Sequence, residues 1–322
     1  MADYIFKTYI ADGREYFVYG KREISGDALT AKDFPYPESL LRMLYLDIWK
    51  YEPLTKKIDR ALLELYQTKE EHCVQEIMAA LDKLAEVHIY FEFLRLDWKH
   101  RLEQSRAQNY ENAIDLLPHK QIAHIPSHID QMQKQIKALI AKALDIDGEK
   151  KSVSEKMVEY YNAAGDDTLN TFQFRPQPMS FEVIDHKTFA EVLYPKDIYD
   201  LIDYAVRECV KRETRMRVCK NCGHWFAITG RANAEYCDLT VDSKGRTCKE
   251  IGAIQTWTKS KSGDDVFKEY RREYKRRFAW IKAGRIEPSV FYTWSAEARE
   301  KKAECESGKI TLKEFSEWLS RS

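Results

Sequence analysis

Apolar and polar residues alternate singly along residues 3–20, "DYIFKTYIADGREYFVYG", on either side of Ala11-Asp12-Gly13-Arg14. A period of two buries one face of a strand, and Asp-Gly supplies the positive φ of a two-residue turn, so this stretch predicts a β-hairpin. From Pro37 the period lengthens. "PESLLRMLYLDIWKY" and "LTKKIDRALLELYQ" repeat apolar residues every three or four positions, and a segment from about Glu70 to Gln108 sets Ile77, Leu81, Leu84, Ile89, Phe93 and Leu96 on one face. These are amphipathic helices expected to pack as antiparallel neighbours.

A further helix is predicted from about Ser127 to Leu144, through Ile129, Met132, Ile136, Leu139 and Ile140. After the polar "DIDGEKKSVSE" and a short helix, Pro176 and Pro178 exclude helix from "TFQFRPQPMSFEVID", which reads as a loop with short extended pieces at 170–185. Helical periodicity returns in "PKDIYDLIDYAVRECVKRE", with Ile198, Leu201, Ile202, Ala205 and Cys209 as its buried stripe. Near the end, "DDVFKEYRREYKRRFAWIKAG" opens on acids and stops before Gly284, as the helix dipole and C-terminal stop signals favour. Two short helices, about 288–305 and 311–320, follow.

The pattern divides the chain into an N-terminal hairpin and helical domain (1–165), connecting strands with an anchoring helix (166–215), a cysteine-rich finger (216–262) and basic C-terminal helices (263–322). The fold class expected is mainly α with a small N-terminal β-hairpin: a helical bundle, a treble-clef-like or ribbon-like zinc finger, and C-terminal helices. At 322 residues and 44% hydrophobic, the chain has enough apolar residues for more than one core. No stretch reaches the ~18 consecutive apolar residues of a membrane helix, and the N-terminus lacks the order of a secretory signal, so a cytoplasmic protein without a membrane partner is expected.

Basic and acidic residues number 52 each, yet Lys211–Arg285 holds 19 basic against 9 acidic ones. That local excess of ten positive charges sits beside an acidic remainder. Four of the seven cysteines, Cys219, Cys222, Cys237 and Cys248, fall within thirty residues. The odd total argues against a disulfide framework.

Cys219-Lys220-Asn221-Cys222-Gly223 is a Cys-x-x-Cys-Gly turn, which brings two thiolates within reach of one metal and aims backbone N–H groups at the sulfurs. Residues 224–237, "HWFAITGRANAEYC", read as strand, turn at Gly230-Arg231, and returning strand that delivers Cys237; Cys248 opens the next helix. The rival is a redox pair, but a thioredoxin-like Cys-x-x-Cys starts a helix, whereas "GHWFAI" favours a strand. One structural Zn2+ is the cofactor expected. Four thiolates close its shell and leave no position for water activation. His224 is a weaker competitor as a ligand.

"CKNCGHWFAITGR…EYC…TCKEIG" resembles the CGNR-type zinc fingers of bacterial transcription regulators, and Cys219, Cys222, Cys237 and Cys248 match that family's ligands. The resemblance implies DNA binding. Lys249-Glu250-Ile251-Gly252 stands where the family has Gly-Asn-Arg. Over about 170–320, "LYPKDIYDLIDYAVRECVKR", "CKNCGHWF", "TCKEIGA", "YRREYKRRFAWIKAGRI" and "FYTWSAEAREKK" together resemble a bacterial domain-of-unknown-function family, number 6076, to which no activity attaches.

In the helix around residue 270, Phe267, Tyr270, Tyr274, Phe278 and Ile281 are expected to pack, while Lys268, Arg271, Arg272, Lys275, Arg276 and Lys282 cover the remaining circumference. With Arg231, Lys244, Arg246, Lys249, Lys259 and Lys261 they form a candidate phosphate-facing surface for DNA or RNA. Trp225, Phe226 and Tyr236 would stack bases if exposed. The function expected is nucleic-acid binding in a regulatory role, with the N-terminal helical domain sensing a signal or recruiting a protein partner; the alternative is a zinc-stabilised interaction or scaffold protein with no nucleic-acid ligand, its basic face docking on the acidic body.

His119, His124, His128 and Asp130 are read as an interhelix loop, since Pro126 interrupts a common helix. His88 and Glu92 are read as structural. No phosphate loop, nucleophile elbow or dinucleotide fingerprint is present, so no enzyme is expected.

Overall fold

A computed structural model describes residues 4–22, 28–184, 186–252, 254 and 263–321. They form two compact units, one spanning the chain up to Val218 together with His224–Ala234, the other Cys219–Gly223 and the chain from Glu235 on.

In the first unit, β1 (Tyr4–Ala11) and β2 (Arg14–Lys21) pair from Tyr4↔Lys21 to Ala11↔Arg14. Asp12 and Gly13 both take positive φ, 50° and 71°, the turn whose twist matches the strands. The predicted hairpin is therefore present, but it forms the centre of something larger. β3 (Ala28–Pro35) pairs with β2, and β5 (Phe189–Leu193) joins β1 through Thr8↔Leu193 and Tyr9↔Val192. With β4 (Met179–Val183) outermost, the order of this five-stranded antiparallel sheet is β3-β2-β1-β5-β4. The small hairpin of the sequence reading is corrected to that sheet. "ALTAKDFP" is an edge strand exposed over residues 29–33, with no alternating buried stripe to betray it, and β4 and β5 return from far along the chain.

One sheet face, with Tyr4, Phe6, Ile10, Phe17 and Tyr19, joins the main helical core; the other gathers Tyr9, Ala190 and Val192. The helices are α1 (Glu38–Leu44), α2 (Glu52–Thr68), α3 (Glu71–Val87), α4 (Ile89–Arg106), short α5 (Ala113–Leu116) and α6 (His119–Ala123), α7 (Ile125–Leu139), α8 (Val153–Ala164) and α9 (Ile198–Lys211). α2 and α3 bury single stripes, Ile58-Leu62-Leu65 and Ile77-Leu81-Leu84. α4 is buried on several sides, with Tyr90, Phe91, Phe93, Leu94, Leu96 and Trp98, as befits a central helix.

The single segment expected from Glu70 to Gln108 is two helices broken at His88. That residue is extended and caps α4: its Nδ1 accepts from the Tyr90 N–H, and its Nε2 lies 3.0 Å from the Ser39 carbonyl. Burial holds its pKa down to about 4, so a neutral ring serves both bonds. Pro126, expected to separate His124 from His128, lies in the first turn of α7, where its missing N–H costs nothing. The two imidazoles stack at 5.9 Å, while His119 meets Asp59 at 2.8 Å.

The second unit contains α10 (248–252), α11 (Asp265–Lys282), α12 (Pro288–Glu306) and α13 (Leu312–Arg321). α11–α13 share a core of Phe291, Trp294, Ala298, Phe315 and Leu319, packed by Val266, Tyr270, Tyr274, Ile281 and Trp318.

Candidate metal centre and basic helix

β6 (Met216–Val218) and β7 (Trp225–Ala227) pair through Val218↔Trp225, and in the chain the Cys219–Gly223 turn lies between them. The hairpin thus precedes and follows the knuckle, whereas the expected partner of β7, residues 234–237, returns as irregular backbone. Its delivery of Cys237 still holds: the Lys220 N–H donates to Glu235 O at 3.0 Å, and the Cys237 N–H to Cys219 Sγ at 3.4 Å. Gly223 sits at φ +74°, a conformation that suits glycine, and its N–H closes the turn onto Cys219 O at 2.9 Å.

Cys248 stands at the first position of α10. Thr247 caps it, its hydroxyl accepting from the Glu250 N–H while Glu250 accepts from the Thr247 N–H at 2.8 Å. The Lys249 N–H then donates to Cys237 O at 3.0 Å, tying the third cysteine to the fourth.

The four Sγ atoms lie within 4.8 Å of one another, Cys222 and Cys237 at 3.7 Å, and all are free thiols. Sulfurs ~2.3 Å from a tetrahedral metal are ~3.8 Å apart, so the group fits a metal such as zinc. Asn221 Nδ2 donates to Cys248 Sγ at 3.4 Å, a contact no spacing rule in the sequence signals. Cys219 is raised by burial, but backbone N–H groups from Cys222, Cys237 and Asn221 outweigh that and bring its thiol down to about 7. Cys237 is pushed up by burial and by its hydrogen bonds to Cys248 and Cys219. Crowded thiols cannot all ionise unaided; a bound cation removes that conflict.

Gly252 is buried against Tyr236. A Cβ there would stand 2.3 Å from two ring carbons, so the glycine in the Lys-Glu-Ile-Gly stretch allows α10 to lie on the residue preceding Cys237. His224 belongs to the first unit and stacks on Tyr45, centroids 3.7 Å apart and planes within 7°. Trp225 is half-buried and Phe226 buried.

On α11 the core face is Val266, Tyr270, Tyr274, Arg277 and Ile281; the expected stripe is corrected at Arg277, which is inside, and at Phe278, which is 42% exposed. Arg277 is buried by its Glu273 partner at 2.9 Å and by the Trp294 ring at 4.5 Å. The outer face is basic. At 3.6 residues per turn, Arg271, Lys282, Lys275, Lys268 and Arg272 fall in that order within roughly 100° of circumference. Asp265, Glu269, Arg276 and Glu273 lie beyond Arg272, so no acid interrupts the strip.

All five strip residues are exposed. Lys268 pairs with Asp265 at 2.9 Å, Arg272 with Glu269, and Arg276 with Glu273 at 2.7 Å; Arg271 lies over the Phe267 ring. Lys275 and Lys282 have no ion pair with a described residue. Lys249 is exposed, 3.5 Å from Asp238, and Arg231 is an exposed residue of the first unit. Lys259 and Lys261 lie outside the described residues.

The second unit therefore carries a four-cysteine site able to hold a metal and a helix with one uninterrupted basic face. The model of a family of unknown function (DUF6076) matches residues 172–321, the C-terminal half. No curated protein and no solved structure matches the chain. No helix among the described residues is long and apolar enough to cross a membrane.

Proposed function

We propose that Cys219, Cys222, Cys237 and Cys248 hold one structural zinc ion, and that the second unit binds the phosphate backbone of nucleic acid through α11. Sulfur-only donors in a tetrahedral group suit zinc. Four thiolates leave no position for a reacting water, and the reading assigns the protein no catalysis.

The observation that carries nucleic-acid binding is the exposed strip Arg271-Lys282-Lys275-Lys268-Arg272. Phosphate contact needs cations in a row at the surface, and α11 offers them without an intervening acid. Base stacking is not part of the reading, because Phe226 is buried and Tyr236 lies against Gly252. A zinc-stabilised protein-interaction module is the second reading, favoured by the acids that already engage Lys268 and Arg272.

Fluorescence anisotropy of labelled duplex DNA, single-stranded DNA and RNA tests the proposal. Binding should weaken with salt and be lost in the Arg272→Glu/Lys275→Glu protein. Absence of binding to all three at low salt would refute it and favour the interaction module.

A further inference from the structure

A second cluster of metal-ligating side chains lies in the first unit, at the turn between α2 and α3. Lys69 adopts a left-handed conformation (φ 58°) after α2, and extended Glu70 starts α3. This reversal brings Glu64, on the last turn of α2, against His72 and Cys73, on the first turn of α3. His72 Nε2 lies 3.2 Å from Glu64 Oε1 and 3.6 Å from Cys73 Sγ, and the three ligand atoms lie within 4.8 Å of one another.

Tetrahedral zinc ligands are separated by ~3.3 Å for a nitrogen and an oxygen and ~3.6 Å for a nitrogen and a sulfur, given the usual bond lengths. The two distances match those edges. On the other side of the ring, His72 Nδ1 meets Glu70 Oε2 at 2.9 Å. A carboxylate on the second imidazole nitrogen is what fixes the tautomer and orientation of a metal-bound histidine. Glu64 and His72 are about half exposed, while Cys73 is buried beneath them.

We propose that Glu64, His72 and Cys73 form a second zinc site, completed by solvent, that staples the α2–α3 turn, with Glu70 positioning His72. The mixed nitrogen, oxygen and sulfur donors suit zinc over magnesium or calcium, which take oxygen. The competing account is a histidine that only bridges Glu64 and Glu70, with Cys73 serving solely as a buried residue of the helical core.

The test is metal stoichiometry and cobalt spectroscopy on the full-length protein. The wild type should bind two equivalents of Zn2+. His72→Gln should bind one and lose one thiolate's share of the sulfur-to-cobalt charge-transfer band; Cys222→Ser should keep the equivalent that His72→Gln loses. Glu70→Gln should retain both equivalents and bind the weaker one about ten- to hundredfold less tightly. A folded His72→Gln protein that binds as many equivalents as the wild type, whether one or two, would overturn the site. Unchanged affinity in Glu70→Gln would overturn the positioning role.

Discussion

Gly252→Ala separates two forces of opposite sign. In an exposed helix the change would stabilise by about 1 kcal/mol, because alanine loses less backbone freedom. Here the added Cβ would stand 2.3 Å from Cδ1 and Cε1 of Tyr236 and 2.9 Å from Cγ. Relaxed carbon contacts are ~3.5–4.0 Å, so α10 or the ring must retreat by more than ~1 Å. The ring cannot swing freely: the next residue is Cys237, and α10 begins at Cys248. Overpacking of this kind costs about 1–3 kcal/mol. On the proposed zinc reading, folding of this segment is coupled to metal binding, and the cost should appear as a zinc affinity lower by roughly five- to 150-fold. Competition with a chromophoric chelator measures the affinity, and a thermal melt measures the stability. A Gly252→Ala protein that binds zinc as tightly as the wild type, or melts higher, would refute the packing argument and leave helix propensity in command.

Burial of Glu15 raises its pKa to about 7 against the opposing Ser39 hydrogen bonds, so the native state keeps a proton that the unfolded chain releases near 4.5. Its contribution to stability is present below pH ~4.5 and lost as pH rises through 7, on the order of 3 kcal/mol; denaturant melts should show that fall in the wild type and flatten it in Glu15→Gln. Arg277→Ala removes a guanidinium held between Glu273 and the Trp294 ring, and should destabilise by about 2 kcal/mol in thermal or denaturant unfolding. Arg272→Glu/Lys275→Glu changes only exposed side chains, one of them in a surface ion pair, so its unfolding free energy should stay within about 1 kcal/mol of the wild type. A larger drop would mean that these two residues hold the fold together.

Helical stripes were legible wherever one face meets a core. Ile77, Leu81 and Leu84 are examples, and α12 and α13 lie within a residue or two of their expected ends. The sheet was half legible. The β1–β2 hairpin is local and carries its own turn, but β5 reaches β1 across some 180 residues, and no local signal encodes that pairing. His88 defeated a continuous helix because its ring satisfies the backbone at the break, which a count of apolar spacings does not see. Arg277 was absent from the expected stripe for a related reason. Its place in the core rests on the nearby carboxylate and indole, which make the burial of a charge tolerable.

The four cysteines were visible from spacing alone, since Cys-x-x-Cys-Gly encodes a turn. What surrounds them was not: Asn221 beside Cys248 and Gly252 beneath Tyr236 depend on how the chain returns. The Glu64-His72-Cys73 cluster likewise arises from a tight reversal between helices.

The centre at residues 219–248 is tested most directly by the metal content and cobalt spectrum of the His72→Gln protein, in which the surface site is disabled. One equivalent should be bound with charge-transfer intensity for four thiolates, falling by about a quarter in the additional Cys248→Ser variant while the other three sulfurs still hold the metal. A folded, metal-free protein, or one in which mass spectrometry finds Cys222 bonded to Cys237, would contradict the account.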